Sequence, residues 1–235
     1  MINICIFGAG AIGGYIGCSL SKAGANVSLI ARGPHKEAIK KNGLTLISNN
    51  KSETFKLKVT ENPSELGTQD YIIIGVKAHA ISGIVNQLKP LLDDNTAILS
   101  AVNGLPWWYF YKSDTGTILE NTHIDSVDPH GIIWKTLNPK RALGCVVYPA
   151  WEIEKPGTIK HIEGNRFSLG EPSGFSTERV TYLSKTLKKA GFKAPIQKNI
   201  RDEIWLKLIG NLSFNPISAL TGATLEEICN NEGTE

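Results

Sequence analysis

The sequence predicts an α/β fold: a Rossmann-like, doubly wound sheet followed by the start of an α-helical domain. Three observations carry that expectation. Ile2–Phe7 is a short apolar run. A glycine-rich turn, a small-residue helix over Ala11–Ala23 and a second apolar run over Val27–Ala31 follow it, making one strand–helix–strand unit. Tyr71–Val76 and Ala97–Val102 then read as strands buried on both faces, with a helix expected over Ala80–Leu92 between them. From Asn199 the chain turns helical and stays so until Pro216.

The remaining elements fill in around these. Asn42–Val59 reads as two short strands about the turn Ser48-Asn49-Asn50-Lys51. Residues 103–149 are rich in aromatics and turn formers and show no clear period. Leu143–Tyr148, Gly157–Glu163 and Arg166–Gly170 read as strands joined by tight turns, expected to be antiparallel. Glu178–Ala190 is an amphipathic helix and Lys193–Gln197 a last short strand. The expected division is a dinucleotide-binding unit over residues 1–198 and the beginning of a helical substrate or dimerisation unit over 199–235.

Composition excludes several classes. Among 235 residues, 41% are hydrophobic and 20% charged, as in an ordinary globular protein. A net charge of +3, without a Lys/Arg cluster, argues against a nucleic-acid face. Cys5, Cys18, Cys145 and Cys229 are too scattered for a disulfide frame or a metal site, and a reducing cytoplasm suits them. No charge occurs before Lys22, yet a basic leader region is missing and glycines interrupt the apolar run, so a secretory segment is disfavoured. No apolar run reaches the roughly 20 residues a membrane helix needs.

Gly8-Ala9-Gly10-Ala11-Ile12-Gly13 is a dinucleotide fingerprint in its proper context, after a first strand and at the opening of a helix. The end of the second strand reads Leu29-Ile30-Ala31-Arg32-Gly33. It has no carboxylate for ribose hydroxyls, whereas Arg32, helped by His35 and Lys36, can clamp a 2′-phosphate. This favours NADPH. Lys77 and Asn103 follow adjacent buried strands, where open α/β sheets bind ligands; alone, each is also an ordinary loop residue. Lys207, Asn211 and Asn215 recur at intervals of four on one face of an otherwise apolar helix. An ammonium there can stabilise and protonate a developing alkoxide; a stripe facing water is the competing reading.

These features together resemble the ketopantoate reductases (2-dehydropantoate 2-reductases). The resemblance rests on the N-terminal glycine motif, Lys77 in Val-Lys-Ala, Asn103 in Asn-Gly, and Lys207-x3-Asn211-x3-Asn215 before Pro216 and Ala219-Leu220. It extends to about Thr221. It implies NADPH as cofactor and a 2-keto acid as substrate, with reduction of 2-dehydropantoate to pantoate on the route to coenzyme A. It implies Lys207 as general acid, Lys77 and Asn103 lining the cofactor and substrate pocket, and Asn211 and Asn215 on substrate. A homodimer is compatible with it; membranes and nucleic acid have no part in it.

Two departures are evident. Family members continue into a longer helical domain that supplies a serine and a glutamate, and the chain ends at Glu235 before these can be assigned. The helical domain is therefore expected to be truncated. The segment Pro106–Tyr111 is unusually aromatic, fit to cover the nicotinamide end, to shape a different substrate pocket, to meet a partner or to pack as core. An opine- or hydroxyacid-type dehydrogenase, or a nucleotide-binding chain without turnover, are the rival readings.

Overall fold

The computed structural model describes residues 2–231 and Gly233. Its first half runs β1 (Asn3–Phe7), α1 (Ala11–Lys22), β2 (Asn26–Ile30), α2 (Gly33–Asn42), β3 (Leu44–Ser48), β4 (Lys51–Phe55), β5 (Lys58–Thr60), β6 (Tyr71–Ile74), α3 (Val85–Leu88) and β7 (Ala97–Ser100). The second runs α4 (Ile132–Leu137), β8 (Ala142–Val147), β9 (Ala150–Lys155), β10 (Thr158–Glu163), β11 (Phe167–Gly170), α5 (Glu178–Lys189), α6 (Ile200–Thr221) and α7 (Leu225–Cys229).

The main sheet has the order β11-β8-β7-β6-β1-β2-β5 and is parallel except for β11. Strand order reverses at β1, with β2 on one side and β6 on the other, so a ligand crevice is expected beyond Phe7 and Ile74. Side-chain alternation divides the core. Ile4, Ile6, Leu29, Ile73 and Leu99 face α1 and α5, while Cys5, Phe7, Ile72, Ile74 and Ile98 face α3, α4 and the aromatic segment.

A second sheet, β4-β3-β10-β9, lies over α1. Gly14 permits the close approach: a Cβ there would come within 2.9 Å of Leu44 and 3.1 Å of Ile159. Tyr15 stacks on Trp151 with ring centroids 4.0 Å apart. The expected hairpin at Asn49-Asn50 forms, both residues taking positive φ. Its strands belong to this second sheet, and β10 pairs parallel to β3. The expected antiparallel relation holds between β8 and β11, but β8 is parallel to β7.

Several expectations need correction. The helix expected over Ala80–Leu92 shrinks to Val85–Leu88 between two 3-10 turns, because Ser82-Gly83 and Pro90 interrupt it. Lys193–Gln197 contributes only isolated bridges to Arg166 and Leu169. α6 does not stop at Pro216; it runs on to Thr221 and ends at Gly222 with φ +70°. Proline there removes one helical hydrogen bond, and the Thr221 hydroxyl bonds back to the Ile217 carbonyl at 2.7 Å. The aromatic segment is core: Trp107 and Trp108 are buried, and the Trp107 indole N–H donates to Ser100 Oγ. It also anchors α6. The Arg201 guanidinium donates to the carbonyls of Tyr109, Tyr111 and Pro172.

Candidate active site

The glycines after β1 divide the work of the turn. Gly8 has φ +102°, and a Cβ on it would lie 2.6 Å from Val76 Cγ1. A Cβ on Gly13 would lie 2.1 Å from the Gly8 carbonyl oxygen, so only glycine lets α1 seat against the turn. Gly10 differs: a Cβ there would meet nothing within 4 Å. That open space is where a pyrophosphate can approach the backbone. Gly10 caps α1 with no side-chain hydrogen bond, and the first turn carries no acidic residue, so its N–H groups and positive dipole end remain for an anion. The turn fits a dinucleotide.

Two cavities meet over this turn. One of about 290 Å³ is lined by Ala9, Gly10, Ala31, Arg32, His35 and Glu61. Arg32 is exposed at its edge. His35 does not act as a free base: its Nε2–H donates to the Ala9 carbonyl at 2.8 Å while Nδ1 accepts the Gly157 N–H at 3.1 Å. It is a neutral strut between the turn and the β9–β10 hairpin. Lys36 is paired with Glu37 at 3.0 Å and Glu61 at 3.2 Å. The help expected from His35 and Lys36 is therefore already engaged elsewhere.

The other cavity, of about 880 Å³, brings Gly10, Ala11 and Ile12 together with Lys77 and Asn103. Lys77 follows β6 and Asn103 follows β7, both at carboxyl ends of parallel strands. Asn103 Oδ1 accepts the Val147 N–H at 3.2 Å, leaving the two amide N–H donors for a ligand. Ile153 of β9 lines both cavities and roofs the turn.

Lys207, Asn211 and Asn215 share a third cavity of about 250 Å³, with Tyr148. Lys207 and Asn211 are half-buried and Asn215 is exposed. Lys207 does not line the larger cavity. The two sets of residues are separated by Val147-Tyr148-Pro149: Val147 and Pro149 line the glycine-turn cavity and Tyr148 lines the lysine cavity.

Four residues around Lys207 were not evident from the sequence. Glu203 Oε1 accepts from Tyr148 Oη at 2.9 Å, Arg166 Nη2 at 2.7 Å and Ser168 Oγ at 2.6 Å. Burial pushes the Glu203 carboxyl up, but the bonds from Ser168 and Tyr148 and the Arg166 charge outweigh it, and the group titrates below the usual carboxylate range. Burial, reinforced by Glu203, raises the Tyr148 phenol. Glu203 stands one helical turn before Lys207, a spacing readable in the sequence; Tyr148 carried no such signal.

Other reactive groups are quiet. Burial pushes the thiols of Cys5, Cys18 and Cys145 up to about 12. A cavity of about 620 Å³ opens at the amino ends of β7 and β8, but Arg179 there is paired to Glu171 at 2.7 Å and Arg141 donates to the Asp93 carbonyl. No helix among the described residues is long and apolar enough to cross a membrane.

Comparison with known proteins agrees with this geometry. The family model for ketopantoate reductase PanE/ApbA matches residues 4–107, and that for its C-terminal part matches residues 199–235. The chain is 51% identical to a 2-dehydropantoate 2-reductase of Mesorhizobium japonicum, over 99% of this chain and 71% of that protein. It is 28% identical to one of Pyrococcus horikoshii, spanning 93% of this chain and 64% of that relative's length. A Ralstonia solanacearum MolK2 crystal structure named as a candidate ketopantoate reductase superposes with a TM-score of 0.93 at 37% identity, over 100% of this chain and 72% of that one. A D-mandelate dehydrogenase bound to NADH shares the fold alone, with a TM-score of 0.81 at 22% identity over 99% of this chain and 69% of that one. The glycine turn, the strand-end residues and these matches lead to one conclusion: the chain belongs to the ketopantoate reductase family of NAD(P)-dependent oxidoreductases.

Proposed function

We propose that this chain carries the cofactor-binding unit and the acid-bearing helix of an NADPH-dependent reductase that converts 2-dehydropantoate to pantoate. One observation carries the reading. The glycine turn, Lys77 and Asn103 share a cavity, and the segment Val147-Tyr148-Pro149 lines both that cavity and the cavity of Lys207. The division at Asn199, where the helical unit begins, belongs to the same proposal.

Bound NADPH would supply a hydride to the keto carbon. The chain's own residues do the rest. The backbone of Gly8–Gly13, with Ala9, Ala11 and Ile12 flanking Gly10, receives the pyrophosphate, and Arg32 receives the 2′-phosphate. Glu61 lines the same cavity, but Lys36 at 3.2 Å meets its charge, so Arg32 sets the balance towards the phosphorylated cofactor. Lys77 and the free amide of Asn103 line the place where cofactor and keto acid meet. Lys207 donates its proton to the carbonyl oxygen as that oxygen gains charge, giving the hydroxyl. Asn211 and Asn215, one and two turns on, hydrogen-bond the substrate's polar groups.

The test is NADPH oxidation with a panel of 2-keto acids. Turnover highest with 2-dehydropantoate supports the reading. Turnover with another keto acid and none with 2-dehydropantoate shifts it to a hydroxyacid-type dehydrogenase.

A further inference from the structure

The residue between the two cavities has a geometry that its role as a wall does not explain. The Tyr148 ring carries two cations: Arg166 Cζ lies 5.2 Å from its centroid and Lys207 Nζ 5.3 Å. Both fall within cation–π range. The ring cannot turn freely, because its hydroxyl donates to Glu203 and the Tyr148 backbone N–H donates to the Arg166 carbonyl at 3.2 Å. The carboxylate in turn is held by Arg166 and Ser168. Glu203 and Lys207 stand one turn apart on α6, so the end of β8 touches that helix face twice, through the hydroxyl and through the ring.

We propose that Tyr148 is a positioning residue that holds the Lys207 ammonium at the boundary with the cofactor crevice. The inference rests on the reading of Lys207 as the proton donor and adds how the donor is kept in place. A lysine has a four-carbon stem with many rotamers. Its neighbours on that face of α6, Glu203, Asn211 and Phe214, are only part-buried, so packing along the helix does not by itself fix the stem. A fixed aromatic face narrows that freedom without neutralising the charge, and a carboxylate bonded directly to the lysine would do the opposite. Glu203 instead takes three bonds on Oε1, from Tyr148, Arg166 and Ser168, and among the described residues its ion pair is with Arg166 rather than Lys207, so it orients the ring and leaves the ammonium free to give up its proton. Val147, next in sequence, is tied to Asn103, so the same short segment sets the strand-end amide and the lysine together.

The test reads the contact and its consequence separately. Lysines of the whole chain are reductively methylated with carbon-13-labelled formaldehyde, which keeps their charge, and the Lys207 resonance is identified by its loss in Lys207→Arg. The expected result is an upfield ring-current displacement that survives in Tyr148→Phe and disappears in Tyr148→Leu. In steady state, Tyr148→Leu should lower kcat with 2-dehydropantoate about tenfold, equivalent to about 1.4 kcal/mol. It should leave KM for NADPH and Tm near wild type, and Tyr148→Phe should recover most of kcat. A Lys207 resonance unmoved by Tyr148→Leu, or an unchanged kcat in that variant, overturns the proposal. A wild-type chain without turnover would instead count against the reductase reading, and the resonance would then decide whether Tyr148 holds Lys207.

Discussion

Asn103 Oδ1 accepts the backbone N–H of Val147 at 3.2 Å, joining the loop after β7 to the end of β8. This bond fixes the segment that divides the glycine-turn cavity from the Lys207 cavity. It also orients the Asn103 amide, since the oxygen is committed and the N–H donors are not.

Asn103→Ala should therefore act twice, removing a donor to the ligand and releasing Val147. Loss of one such hydrogen bond is worth about 1 kcal/mol, so kcat/KM for 2-dehydropantoate should drop by at least about fivefold, with a smaller effect on Tm. Steady-state kinetics with both substrates varied would check this. An unchanged kcat/KM would mean that Asn103 is only a loop residue.

The glycine turn separates folding from binding. Gly13→Ala places a Cβ 2.1 Å from a backbone oxygen and should lower Tm strongly. Gly10→Ala meets open space, and its backbone lies at φ −71°, which alanine tolerates. That variant should fold with near wild-type Tm and lose the thermal shift that NADPH produces. Equal stability loss in both would contradict the assignment of the space beside Gly10 to the cofactor.

Arg32→Ala should weaken NADPH far more than NADH, because only the former has a 2′-phosphate. Titration of both cofactors by intrinsic fluorescence would show it. Equal losses would move the cofactor preference away from Arg32.

Glu203 makes stability depend on acid. Its carboxyl titrates lower in the folded chain than in the unfolded one, so its contribution is present above the usual carboxylate range and is lost as pH falls through the folded value. Glu203→Gln should flatten that part of the acid unfolding curve and lower stability at neutral pH, where the ionised carboxylate contributes, with the difference from wild type closing as pH falls. Chemical denaturation at a series of pH values measures the slope. An unaltered slope would mean that other carboxylates carry it.

Much of this was legible in the chain. Ile4–Phe7, Tyr71–Ile74 and Ala97–Leu99 are apolar on consecutive residues, and short runs of that kind between turn signals suit strands covered on both faces. The Asn49-Asn50 turn and the Glu178 helix were equally plain. β9 was not, because it is an edge strand on which only Ala150 and Trp151 are part-buried and the rest, from Glu152 to Lys155, is exposed, too little to impose a period. The length of α6 past Pro216 was also hidden, since local proline chemistry argues for a stop and only the Gly222 cap reveals the true end. At the candidate site, Lys77, Asn103 and Lys207 could be nominated from their positions in the sequence, at strand ends and on a helix stripe. The Tyr148–Glu203–Arg166 arrangement did not, because it joins β8, β11 and α6, and no local pattern records which side chains a fold will bring together.

The most direct measurement is kcat of Lys207→Ala for NADPH oxidation with 2-dehydropantoate, taken beside the NADPH thermal shift of the same variant. The account predicts a loss of about 10²–10⁴-fold in kcat, the usual worth of a general acid, with the thermal shift retained. A kcat within about twofold of wild type would contradict it, since a group of that worth cannot be removed so quietly.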